Sequence, residues 1–215
     1  MAVSELDDLD NIEEELNEFE IDIRCLVSEN HQITLDGIQR LEDEVIDDLT
    51  KTFANEEDEL RNSEVRHAGA YFDDLRRAAN HTALVSLVTR LDHWTRKFYK
   101  QLPTDFKRNE KNKESSMVRR MKVLNASLLA TAPIPIKFFE ELEAARDAVI
   151  HHDSQARWKY KGKDFYVADS YTKYGELNFT EQNLCTAIEN VLAQVKWYDE
   201  QIASSRWRNS GNHSE

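Results

Sequence analysis

The sequence predicts an all-α fold, a helical bundle of five to seven helices with a small irregular or β-hairpin insertion near residues 157–167. Three observations lead there. Breakers are scarce: the 215 residues hold five Gly and three Pro. Charged residues make up 32% of the chain, against 40% hydrophobic, and Glu, Leu, Ala, Asp and Arg are abundant. Apolar residues recur at three- and four-residue steps through most of the chain, the period of a helix with one buried face.

Residues 4–28 read as the first helix. Leu9, Ile12, Leu16, Phe19, Ile23 and Leu26 form a heptad-like seam. Ser4 stands as an N-cap, and acids crowd the first turns, where the helix dipole favours them. The pattern lapses over 28–34. A second helix is expected over 36–61, with Ile38, Leu41, Val45, Leu49 and Phe53 inward, so that the two form an antiparallel hairpin. A further helix covers 63–78. Then Asn80 is placed to cap a core helix over 81–102, whose stripe is Leu84, Leu87, Val88, Leu91, Trp94, Phe98 and Leu102, and Pro103 ends it.

Residues 104–116 read as a polar loop. A helix over 116–130 turns Met117, Met121, Leu124 and Leu128 inward. Pro133 and Pro135 then hold the chain extended, since proline disfavours a helical residue before it. The next helix spans 135–151. After it, Trp158 and Tyr160 alternate with bases, and Gly162 allows a turn before Phe165 and Val167. Thr180 caps the last helix, with Leu184, Ile188, Val191, Val195, Tyr198 and Ile202 on one face. The organisation expected is an acidic helical-hairpin extension over 1–60, a bundle over 61–205 and a frayed tail over 206–215.

The net charge of −13 is unevenly spread. Residues 1–60 carry 21 acids and 3 bases, −18 in all; the remainder carries 20 acids and 25 bases, +5. An acidic pI therefore does not exclude a polyanionic partner, because the basic part can bind one. Cys25 and Cys185 form no motif, which points to free thiols in a reducing compartment. The acidic start lacks the apolar core of a secretory leader, and no apolar run approaches a membrane span. A cytoplasmic protein, with no membrane contact, is the expectation.

The helix over 135–151 holds the unusual chemistry. On a helical wheel with Phe138 at zero, Ala145, Val149, Leu142, Phe139 and Ile150 span an arc from about 340° round to about 120°. Arg146, at about 80°, falls inside it. A guanidinium in an apolar arc needs a counter-charge: a carboxylate, a second subunit or a phosphate. Asp147 points elsewhere and precedes His151 by one turn, where an acid can orient an imidazole. Histidine moves protons either way near neutral pH. His151, His152 and Asp153 also raise the question of a metal. Neighbouring helical residues diverge, however, and no third ligand is suitably spaced, so neither metal nor cofactor is expected.

Arg146, Asp147, Ala148, Val149, Ile150 and His151 together resemble the R-x(4–6)-H motif of the HEPN superfamily. The resemblance covers about residues 65–204; His152 also satisfies the spacing, and Asp147 stands where relatives often carry Asn or His. It implies a helical bundle and a metal-independent endoribonuclease, of the kind found in prokaryotic phage-defence and toxin–antitoxin systems. The product implied is a 2′,3′-cyclic phosphate, and the partners implied are RNA and an antitoxin or defence protein. In that chemistry Arg146 steadies the phosphate, while His151 or His152, with Asp147 beside them, handles the protons.

On a straight helix Arg146 and His151 point about 140° apart. One copy would struggle to aim both at one phosphate, so a homodimer with a composite site is expected, as the family's RNases usually form. RNA contacts are expected from Arg157, Trp158, Lys159, Tyr160, Lys161 and Lys163, where cations hold phosphates and rings stack bases. A second basic cluster includes Arg119 and Arg120. The alternatives are a non-catalytic HEPN-like dimerisation module, or a helical adaptor whose acidic N-terminal arm binds a basic partner.

Overall fold

The computed structural model describes residues 17–54, 56, 58–107, 116–128, 130–151, 170–171 and 177–205. The fold is all-α. Among these residues the chain enters as helix at 17–21, continues as a π-helical segment, Asp22–Glu29, and runs on into α1, Asn30–Thr52. Then come α2, Asp58–Gln101; a single turn, α3, Thr104–Lys107; α4, Met117–Ser127; α5, Ile136–His151; and α6, Glu181–Ser204. Strands β1, Ser170–Tyr171, and β2, Leu177–Asn178, pair antiparallel just before α6. The hairpin expected over 157–167 lies outside the described residues.

The first departure from expectation is at 28–34, where the helix does not break. The stretch has no Pro or Gly, and Thr34 Oγ1 donates to the carbonyl of Asn30 at 2.8 Å, so a polar side chain that often ends helices is satisfied within this one. The antiparallel hairpin is therefore made by α1 and α2, and among the described residues the rod runs from 17 through to Thr52. Wider π turns bring Phe19, Ile23 and Val27 inward at four-residue steps.

Asn80, expected to cap a helix, lies inside α2. That helix runs unbroken for 44 residues, about 66 Å. Nothing between 70 and 102 forces a break, and Thr82 Oγ1 bonds back to Ala78 O at 2.9 Å. Pro103 follows its last turn. The expected boundary at 60 thus falls in the first turns of α2.

Two packing regions sit along α2. Its second half, from Ala83 onward, anchors the main core with α4, α5, α6 and the N-terminal segment. The predicted stripes fill it: Leu84, Leu87, Val88, Leu91, Trp94, Phe98 and Leu102; Met117, Met121, Leu124 and Leu128; Leu184, Ile188, Val191, Val195, Tyr198 and Ile202. Phe19 joins this core with its ring 5.0 Å from that of Trp94, so the N-terminal segment and the bundle share one apolar centre. The first half of α2 packs on α1 as a two-helix arm, in which Ile38 and Phe72 are buried outside the main core. Arg76 ties the arm together by bonding Gln39 at 2.8 Å and Glu42. Leu41 and Val45, expected inward on α1, are exposed instead. No described helix is long and apolar enough to cross a membrane.

Candidate functional site

The candidate site is the C-terminal half of α5 together with the N-terminus of α4. Pro135 precedes the first residue of α5, and the helix packs against α2, α4 and β2. Its buried residues are Phe138, Phe139, Glu141, Leu142, Ala145 and Ala148. On the wheel that face centres near 340°, rotated from the arc the sequence suggested. Arg146 therefore lies at the border of the buried face, with 24% of its side chain exposed.

The carboxylate that meets Arg146 is its own neighbour. Asp147 Oδ1 accepts from Arg146 Nε at 3.0 Å and from Nη2 at 2.6 Å. Asp147 is thus engaged with the arginine and makes no hydrogen bond to His151, the orienting role the sequence suggested. His151 is the last residue of α5 and is exposed. Ile150, between them, is half exposed. His152 lies outside the described residues, as do Arg157, Trp158, Lys159, Tyr160, Lys161 and Lys163.

One turn before Arg146, Glu143 reaches across to α4. Its carboxylate accepts from Ser116 Oγ at 3.0 and 3.1 Å and from the backbone N–H of Met117 at 3.1 Å. Further down, Lys122 Nζ bonds Glu140 Oε1 at 2.5 Å. The two helices therefore run antiparallel, and the start of α4 lies beside the turn of α5 that precedes Arg146. Arg119, in the first turn of α4, is exposed near that end.

Arg120 corrects the expectation of an RNA-contacting residue. It is only 2% exposed and forms an ion pair with Asp92 of α2. Asp92 also accepts from Arg96 at 2.8 Å. Burial holds the Arg120 guanidinium below its usual range, with Asp92 opposing. A cation so enclosed cannot reach a phosphate on the surface. It serves to join α4 to α2.

Two acids that the sequence reading passed over matter here. Asp92 is the partner of Arg120, and Glu141 is fully buried on α5. The signal for Glu141 was its spacing: it stands three residues after Phe138, and four and seven before Ala145 and Ala148, inside the true buried arc. Among the described residues no group of three His, Cys, Asp or Glu could hold a metal ion. No protein-family model, curated protein or solved structure matches this chain.

Proposed function

We propose that the chain is a HEPN-type, metal-independent endoribonuclease whose site is completed across a two-fold dimer, acting in a prokaryotic defence or toxin–antitoxin setting. The observation that carries this reading is the state of Arg146. It is held at the edge of the core, yet its counter-charge is an adjacent, half-exposed carboxylate. A part-exposed ion pair between sequence neighbours contributes little. A phosphodiester, offering two oxygens to the planar guanidinium fork, competes with it on favourable terms.

RNA carries its own nucleophile. The 2′-hydroxyl attacks phosphorus, a base takes its proton, the bond to the 5′-oxygen breaks, and an acid protonates that leaving oxygen. The products are a 2′,3′-cyclic phosphate and a 5′-hydroxyl. Arg146 neutralises charge gathering on the phosphate. His151 at the open end of α5 supplies one proton-transfer group, and His152 is the adjoining choice. Because Arg146 and His151 diverge on one helix, each phosphate meets the arginine of one copy and a histidine of the other. Such a dimer would gain from covering the half-exposed Ile150 next to His151. Arg119 stands at the end of α4 that Glu143 meets, and the basic residues expected over 157–163 follow α5 in the sequence.

The Arg146–Asp147 pair beside exposed Ile150 also fits a second reading, a dimerisation module without catalysis. One experiment separates the two. The purified protein is incubated with single-stranded RNA in EDTA, beside Arg146→Ala, His151→Ala and His152→Ala. The nuclease reading expects cleavage to 2′,3′-cyclic phosphate ends, reduced about a hundredfold or more by Arg146→Ala and by one of the histidine substitutions. Intact RNA with a stable dimer supports the module. Cleavage that survives all three substitutions overturns the assignment of the site.

A further inference from the structure

The outer face of α1 carries an apolar ridge that its own fold leaves uncovered. Ile33, Gly37, Leu41 and Val45 follow one another at four-residue steps, the row that one helix offers to the groove of another. Ile33 is 65% exposed, Leu41 55% and Val45 39%. Ile33 lies away from the side that packs on α2, which is marked by buried His31 and Ile38, and the ridge runs from there toward the edge of that side, which Val45 reaches. Single exposed apolar residues need no explanation, but a continuous ridge does.

Gly37 is the second observation. A glycine within a helix weakens it, and one is usually kept where another backbone must come close. A Cβ built on Gly37 meets nothing within 4 Å. The chain itself therefore has no need of the space. The notch sits in the middle of the ridge, between Ile33 and Leu41, where a crossing helix would make its closest approach.

Charge selects the occupant. Helix α1 holds six acids and two bases. The row beside the ridge is Asp36, Arg40, Glu44 and Asp48, three acids to one base, and none of the three acids takes part in an ion pair among the described residues. A second copy of α1 laid on this face would set like charges together, and RNA would be repelled. We infer that the Ile33–Gly37–Leu41–Val45 ridge docks an amphipathic helix of a partner protein, apolar along one stripe and flanked by Lys and Arg. The ridge stands on α1, and none of its residues belongs to the candidate site, so this inference does not depend on the nuclease reading.

The test uses the full chain and a fluorescein-labelled three-heptad peptide with Leu along one stripe and Lys on both flanks. Controls are a scrambled peptide of the same composition and one with Glu in place of Lys. Anisotropy should show the Lys-flanked helix binding about tenfold or more tightly than either control, and more weakly as salt rises. Leu41→Ser and Gly37→Gln should each weaken it about fivefold or more. Gly37→Gln is the decisive variant, because it favours the helix and so should not lower the melting temperature while it blocks the notch. Equal binding of all three peptides, no binding, or affinity indifferent to both substitutions overturns the inference. So does a concentration-dependent dimer in sedimentation that Leu41→Ser abolishes, which would give the ridge to a second copy.

Discussion

Glu143 of α5 caps α4 from outside that helix, accepting the backbone N–H of Met117 at 3.1 Å and the hydroxyl of Ser116 at 3.0 Å. The first N–H groups of a helix have no partner within it, and a carboxylate there also meets the positive end of the helix dipole. Ser116 is the N-cap residue by position but makes no side-chain capping bond of its own, so Glu143 takes that role. Glu143→Ala should destabilise the fold by about 1–2 kcal/mol, and Glu143→Gln by less, since an amide oxygen still accepts. Urea midpoints measure both. Equal losses for the two would mean that charge, and not the hydrogen bond, holds α4 in place.

The pair of Arg120 with Asp92 ties the same helix to α2. Removing one member of a buried pair leaves the other short of counter-charge, at a cost of up to about 3–5 kcal/mol, whereas replacing both with apolar groups is far milder. Asp92→Ala should therefore cost more than Arg120→Met combined with Asp92→Leu. Chemical denaturation of the single and double variants checks this. If the double variant is the least stable, the pair contributes attraction beyond its cost of desolvation.

Arg119 and Arg120 are sequence neighbours with opposite surroundings, and RNA binding should tell them apart. Each phosphate contact contributes about one unit to the slope of log affinity against log salt, somewhat less for a single strand. Arg119→Ala should lower that slope by about 0.7 at unchanged melting temperature. Arg120→Met should leave the slope alone and lower the melting temperature. The measurement is RNA affinity across a salt series. A slope that moves with Arg120 and not with Arg119 would reverse the assignment.

The extent of α5 was legible in the sequence because prolines mark its start and the apolar period runs through it. Its rotation was not. Apolar residues spread over a wide arc leave the helix free to turn, and the neighbours decide: here α2 and α4 draw in Phe138, Glu141 and Ala148 and leave Arg146 at the border. Helix α1 shows the same effect, with Leu41 and Val45 turned out and His31 turned in. The apparent breaks at 28–34 and at Asn80 came from polar residues that often end helices. Once tertiary packing holds the helix, Thr34 and Thr82 satisfy themselves on the preceding turn.

His31 sets a pH dependence. It is buried where α1 meets α2, facing Asn80 and near Glu181 at the start of α6, and its Nε2 has no hydrogen-bond partner. Burial lowers its pKa, with Glu181 and Asn80 opposing. The unfolded chain, where histidine titrates near 6.5, takes up the proton more readily than the folded one. Stability from this group is therefore complete above about pH 6.5 and declines as the pH falls below it, until the folded state also protonates. Urea midpoints at about pH 7.5 and 5.5 bracket the window before most carboxylates titrate. The wild type should lose stability between them, and His31→Gln and His31→Leu should lose less, whatever their stability at neutral pH. A drop of the same size in both variants would place the acid sensitivity in another group.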